Sequence, residues 1–103
     1  MELKKDQRKD VLKVHIRRDL TVDNEVVNVR LSTGDEIEWQ TDEIPVTIDF
    51  QNNSPFGSPY FDVAPGQAVR SGPAVIREVR DYGYRIHSKV LAMSADPGVS
   101  VKP

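Results

Sequence analysis

The sequence predicts an all-β fold, an antiparallel β-sandwich of about seven strands. From Val11 onward, apolar residues recur at every second position, which is the period of a strand with one buried face. Turn-forming residues separate these runs at intervals of about ten residues, as is typical of sandwiches and barrels. No longer stretch has the i, i+3, i+4, i+7 spacing of an amphipathic helix.

Most of the predicted strands show the alternation. The runs are, in chain order, residues 11–17, 27–31, 37–40, 46–50, 67–70, 74–79, 82–87 and 99–101. In the first run, Val14 and Ile16 share one face while His15 and Arg17 share the other. Gly34 suits a tight turn after the second run, and Pro73 separates two later runs because proline cannot donate to a ladder.

Two segments are predicted to lie outside the strands. Residues 1–10 carry seven charged side chains and one large apolar residue beyond Met1, so we expect a charged, flexible arm followed by a single domain over residues 11–103. Residues 51–66 are rich in proline and glycine and are predicted to form a long surface loop. No apolar run is long enough for a secretory signal or a membrane span. With Met1 as the natural start, we expect a cytoplasmic protein.

Composition excludes several kinds of chemistry. The chain of 103 residues contains no cysteine, which rules out thiolate catalysis and cysteine-ligated zinc or iron–sulfur sites. Its formal charge of -2 argues against general nucleic-acid binding, which normally uses a basic face. The sequence also has no nucleophile elbow, P-loop or dinucleotide-binding glycine pattern. We therefore predict neither an enzyme nor a cofactor.

Three segments resemble the cupredoxin-like β-sandwich, the fold of small blue-copper electron carriers and of many domains without copper. Residues 34–39 (GDEIEW) look like the turn and the strand with a buried tryptophan. Residues 82–87 (YGYRIH) look like the aromatic penultimate strand, and residues 96–101 (DPGVSV) look like the final turn and strand. The resemblance implies a Greek-key sandwich over residues 11–103.

The sequence lacks ligand residues that a type 1 copper site requires. Such a site uses a histidine after the tryptophan strand, then a cysteine, a histidine and commonly a methionine near the last two strands. Residues 41–48 contain no histidine, and His87 stands near the position expected for the cysteine. The resemblance therefore implies a metal-free scaffold. The alternative is a copper-binding or electron-transfer-related domain whose donors are His15, His87 and Met93.

Acidic residues cluster in the third predicted strand and the turn after it. Glu36 and Glu38 share a strand face, and paired carboxylates serve in glycoside hydrolysis and in metal sites. Because both alternate with Ile37 and Trp39, we expect them to face water. Such a solvated face favours an ordinary acidic surface over an acid–base pair.

The proline-rich loop offers candidate contact residues. Phe56, Tyr60 and Phe61 are three of the seven aromatic residues, and aromatic rings on a stiff loop can anchor a protein partner. Alternatively, these rings fold back over one end of the core. Unpaired sheet edges offer a second way to bind protein. We therefore predict a non-catalytic binding or assembly module that contacts another protein or itself.

Overall fold

The structure, a computed structural model, describes residues 8–88, 90–91 and 94–103. These residues form ten strands and no helix, so the all-β prediction is confirmed, although the strands are more numerous than the seven or so predicted. The strands are β1 (Val11–Ile16), β2 (Val26–Arg30), β3 (Glu36–Thr41), β4 (Val46–Asp49), β5 (Tyr60–Val63), β6 (Ala68–Arg70), β7 (Asp81–Gly83), β8 (Arg85–Ser88), β9 (Ser94–Ala95) and β10 (Gly98–Lys102). Most of the predicted arm, residues 1–7, lies outside the described residues.

The strands hydrogen-bond into three sheets, ordered β1-β3-β6, β2-β10-β7 and β5-β4-β8-β9. Five of the seven strand pairings are antiparallel, as predicted, but β1 pairs with β3 and β2 pairs with β10 in parallel. The parallel pairs arise because the chain changes sheet between β1 and β3, placing β2 beside the last strand. The described chain contains no helix suited to crossing a membrane.

Three predicted elements differ from the structure. The predicted surface loop 51–66 contains β5, whose ladder with β4 begins where the Phe50 N–H donates to the Pro59 carbonyl at 2.7 Å. Residues 74–79, predicted as a strand, form none, because the N–H groups of Val75 and Ile76 both donate to the Pro55 carbonyl. The run 82–87 forms two strands, β7 and β8, which belong to different sheets.

The core is centred on Trp39, which the alternation of β3 directs inward. Four aromatic rings surround it, with centroids at 5.1 to 6.4 Å, in edge-on or tilted arrangements. The Trp39 indole Nε1 donates a hydrogen bond of 3.3 Å to the Tyr84 hydroxyl oxygen. This cluster joins residues of β3, β5 and the loop after β4 to the crossing point between β7 and β8.

The exposed edge of β1 is covered by the chain that follows it. The His15 N–H donates to Asp23 Oδ1 at 2.9 Å, and Asn24 Nδ2 donates to the Lys13 carbonyl at 2.9 Å. An antiparallel bridge between Ile16 and Val22 completes the cover. This edge is therefore closed to another strand.

Candidate functional site

The two histidines lie apart and have different partners. His15 is on the outward face of β1, where its Nε2 lies 2.7 Å from Asp42 Oδ2. His87 is on β8 in another sheet, where its Nε2 lies 3.5 Å from Asp49 Oδ2. Met93, the third alternative donor, lies outside the described residues.

The donor set does not fit a type 1 copper centre. That centre needs a cysteine thiolate, and the sequence has none. Within the described part of the chain, no group of three or more His, Asp or Glu side chains is arranged to hold a metal ion. Copper binding through His15, His87 and Met93 stays a prediction. Such a site would not be a blue-copper centre, because it would have no cysteine ligand.

Glu36 and Glu38 do not face water as predicted, since their exposed fractions are 4% and 8%. They lie on β3, the central strand of its sheet, so side chains of the flanking segments cover them. Glu36 pairs with the Lys9 ammonium, and Glu38 accepts a hydrogen bond of 3.3 Å from Arg70 Nε. The two carboxylates thus serve separate ion pairs that bind neighbouring segments to β3.

Asp35 is the most strongly bound carboxylate in the described structure. It accepts hydrogen bonds from Arg30 Nε at 2.8 Å, from the Thr33 hydroxyl at 2.7 Å and from the Asp10 N–H at 2.8 Å. Burial would raise the pKa of this carboxyl, but the hydrogen bonds from Arg30, Asp10 and Thr33 outweigh it and lower the pKa to about 2. Asp35 is therefore a permanently charged structural anchor at ordinary pH.

Tyr84 is the other strongly perturbed group. Burial of its hydroxyl in the aromatic core raises the pKa of Tyr84 to about 12. The neutral phenol accepts the hydrogen bond from Trp39, which satisfies the buried indole. Because its pKa is raised, the Tyr84 phenol stays neutral at ordinary pH, as packing in the aromatic core requires.

The three predicted partner-binding aromatics separate into two environments. Phe56 is 3% exposed and packs edge-on against Trp39 and Phe50. Phe61 is half-buried against Trp39, with ring centroids 5.1 Å apart. Tyr60 is 57% exposed. Direct partner binding therefore stays a prediction for Tyr60 and Phe61, while Phe56 is buried in the core and its role there is to hold the loop in place.

The loop 51–61 and the segment 71–80 form one surface, which we call the platform. The N–H groups of Val75 and Ile76 donate to the Pro55 carbonyl at 2.7 and 3.1 Å. Arg80 Nη2 donates to Asn53 Oδ1 at 2.7 Å, and Arg80 also stacks on the Tyr82 ring at 4.1 Å. These contacts, together with the buried Phe56 ring, hold two irregular segments in a fixed arrangement.

The platform concentrates exposed apolar side chains. Seven large hydrophobic residues of the described chain are exposed, and four of them lie here, with exposed fractions of 41% to 58%. These four are Tyr60, Val75, Ile76 and Val79. Sequence reasoning missed the last three because residues 74–79 were predicted to form a strand of the sandwich rather than an exposed segment. The nearby signal was Pro73, which interrupts pairing just before them.

Comparison with known proteins gives a likeness in structure alone. No protein-family model matches the chain, and no curated protein matches it. It is similar to the reduced Cu(I) form of an amicyanin mutant at pH 4, with a TM-score of 0.54 and 16% identity over 89% of this chain and 82% of that one. An oxidised form of a second amicyanin mutant gives a TM-score of 0.55 with the same identity and coverage.

Amicyanin is a cupredoxin, so the resemblance stated from residues 34–39, 82–87 and 96–101 is confirmed at the level of fold. At 16% identity the likeness carries no ligand or partner from amicyanin to this chain. The chain is an open sandwich of short strands, not a closed barrel. Its fold is cupredoxin-like.

Proposed function

We propose that this protein is a non-catalytic module that binds protein, another chain or a second copy, through the platform formed by residues 51–61 and 71–80. The observation that carries the proposal is the set of exposed side chains on two segments that are held together by hydrogen bonds. Groups of exposed apolar residues on a soluble domain commonly mark interaction sites.

The rigidity of the platform favours binding. Contacts from Pro55 and Asn53 restrain the segment 71–80 before any partner arrives, so little ordering entropy remains to be lost on association. Full burial of an exposed aliphatic side chain contributes roughly 1.5–3 kcal/mol. Val75, Ile76 and Val79 are 41% to 58% exposed, so each can contribute about half of that on binding. Together they therefore offer a useful part of the free energy of a specific contact.

The electrostatics of the described core support a non-catalytic role. General acids and bases work best when their pKa values lie near the operating pH. The two strongly shifted groups are moved away from neutrality, Asp35 to about 2 and Tyr84 to about 12. Both have structural hydrogen-bond partners inside the fold.

The test replaces the apolar part of the platform by polar side chains. The double variant Val75→Ser/Ile76→Ser should keep the fold, because exposed substitutions usually change the free energy of unfolding by about 0.5 kcal/mol or less. Val90→Ser is the matched control, since Val90 is exposed and lies outside the platform. Association is measured by affinity purification from the source cells and by binding of the recovered protein to each purified variant.

We expect the wild-type chain and Val90→Ser to bind the recovered protein equally, and the double variant to bind about tenfold more weakly or worse. Equal binding by the double variant would remove the platform from the account. Failure of the wild-type chain to associate specifically with any protein, itself included, would overturn the proposed function as a whole.

A further inference from the structure

The pairing between β4 and β8 ends at Asp49 and Arg85, and a cleft opens just beyond it. Continued in the same register, the ladder would next bond Gln51 to Gly83 of β7, but no backbone hydrogen bond joins these two residues. Gln51 instead has a positive φ of 57°, and its N–H donates to Asp49 Oδ1 at 2.7 Å. The chain after β4 therefore turns away from β7 and leaves the cleft between them.

The backbone of Gly83 faces this cleft without a partner. The Tyr84 N–H donates to the Pro97 carbonyl at 3.0 Å, so Tyr84 directs its backbone groups towards the last strands. Backbone groups of successive residues in a strand point to opposite edges, so those of Gly83 point towards Gln51. Neither the N–H nor the carbonyl of Gly83 is bonded to another described residue on that side. Both groups are therefore free to bond to a ligand.

Side chains around the cleft add further donors and acceptors. Asp49 is half-buried and supplies carboxylate oxygens. Among the described residues, Arg85 uses only its Nε, which donates to Asp96 Oδ1 at 3.0 Å, so both of its Nη groups are available. Asn53 Oδ1 accepts from Arg80 Nη2 at 2.7 Å, and this contact orients the Asn53 amide with its Nδ2 left to donate.

The remainder of the lining is apolar. Phe50, Tyr84 and Pro97 line the cleft and are buried, whereas the polar residues around them are exposed or half-buried. The volume of the cleft is about 250 Å³, just below the roughly 300–1,000 Å³ of pockets that hold drug-sized molecules. The cleft therefore has room for a small molecule with a single ring.

The mixture of polar groups favours a neutral ligand that both donates and accepts hydrogen bonds. Asp49 and Asp96 would repel an anion such as phosphate, and Arg80 and Arg85 would repel an ammonium ion. A hydroxyl group donates one hydrogen bond and accepts others, so it can bond to a carboxylate and a guanidinium at once. Neighbouring hydroxyls on a ring also match the paired atoms of these two groups. The C–H groups of such a ring can cover the apolar lining.

We propose that the cleft between the end of β4 and β7 binds a single sugar ring. Asp49 accepts hydrogen bonds from its hydroxyls, Arg85 and Asn53 donate to its oxygens, and the open backbone groups of Gly83 bond to it from β7. The inference is independent of the proposed function, because the sugar binds without any protein partner.

Gly83 offers a variant that fills the cleft and leaves the fold intact. A Cβ added there meets no atom within 4 Å, and Gly83 does not have the positive φ that requires glycine. It would lie on the same outward face as Arg85, so Gly83→Val places methyl groups in the cleft. Gly57→Val is the matched control, since a Cβ at Gly57 also meets no atom within 4 Å and Gly57 does not line the cleft.

Arg85→Met tests the guanidinium, because it keeps a long side chain and removes every donor. The ion pair that it breaks, with Asp96, is at the surface, so the fold should be little affected. Arg77→Met is its control, since Arg77 is exposed and does not line the cleft.

Binding is measured by NMR, with isotope-labelled protein titrated separately with D-glucose, D-galactose and D-mannose to about 100 mM each. We expect at least one sugar to give saturable shifts at the amides of Asn53, Gly83 and Arg85, with a Kd of about 1–10 mM. Gly83→Val and Arg85→Met should each raise that Kd about tenfold or more, and the two controls should keep it within about twofold. The dispersed spectrum of each variant verifies that it is folded.

The absence of saturable shifts with all three sugars would overturn the proposal. A Kd that Gly83→Val and Arg85→Met both leave unchanged would overturn it too, because the sugar would then bind elsewhere. Inorganic phosphate and methylammonium are titrated in the same way. If either ion binds more tightly than every sugar, the charged groups alone define the ligand and the sugar is rejected.

Discussion

A single buried carboxylate, Asp35, connects the start of β1, the end of β2 and the turn before β3. Its oxygens accept hydrogen bonds from Asp10, Arg30 and Thr33, which lie 25, 5 and 2 residues from it along the chain. The ionised form is strongly favoured in the folded state, so the pKa of Asp35 falls from 3.8 to about 2. Folding stability is linked to pH through this shift.

The substitution Asp35→Asn should therefore destabilise the protein in a pH-dependent way. The lowered pKa stabilises the folded state fully above pH 3.8, and this contribution is lost as the pH falls towards 2. At pH 7 we expect Asp35→Asn to lower the free energy of unfolding by about 2 kcal/mol. Urea unfolding from pH 7 to pH 2 should show this difference shrinking.

Asp96→Asn is the matched control, because Asp96 is exposed and pairs with Arg85 at the surface. Its effect should stay below about 1 kcal/mol. An Asp35→Asn deficit that is constant across the pH range would contradict the assigned role of the ionised carboxylate.

At the scale of elements, the loop after β4 depends on one ring. Phe56 packs against both Trp39 and Phe50, although Pro55 and Gly57 flank it in sequence. We expect Phe56→Ala to lower the free energy of unfolding by about 3–5 kcal/mol, as for other buried aromatic truncations. Chemical denaturation measures the effect.

Tyr60→Ala is the control from the same loop. Because Tyr60 is exposed, this substitution should change the free energy of unfolding by about 0.5 kcal/mol or less. Similar stability losses in the two variants would contradict the burial assigned to Phe56. The same contrast explains why partner binding is better tested at Tyr60 than at Phe56.

The strands predicted correctly are those in which apolar and polar residues alternate and in which the chain also pairs with a neighbouring strand. β1, with Val14 and Ile16 buried, and β10, with Val99 and Val101 buried, show this directly. Residues 74–79 were also predicted as a strand but form no ladder, because the Pro55 carbonyl accepts the N–H groups of Val75 and Ile76. Local periodicity does not state which strand lies alongside, so this difference could not be read from the sequence.

Burial of polar side chains was the other failure of prediction. Glu36 and Glu38 lie on the outward side of β3, yet Lys9 and Arg70 cover them. Those cations are distant in sequence, and only the order β1-β3-β6 brings them together. The loop 51–61 was predicted as the candidate site, but the part played by segment 71–80 was not, since the exposure of Val75, Ile76 and Val79 depends on the absence of a neighbouring strand.

At the scale of the whole molecule, a cupredoxin-like sandwich was predictable because its turn signals and aromatic strands are local in sequence. Its function was not, since one scaffold can host unrelated activities. The copper ligands are where this chain departs most clearly from blue-copper carriers, as it has no cysteine. In the described structure, the platform is where most of the large exposed apolar side chains are found.

Amide hydrogen exchange across the chain tests this account most directly, with the protein compared at low concentration and in its associated form. We predict that exchange slows on association in the two platform segments, residues 51–61 and 71–80. The termini of β1 and the surface around Val90 and Leu91 should exchange at unchanged rates. Slowing confined to that other surface, with residues 51–61 and 71–80 unaffected, would contradict the account.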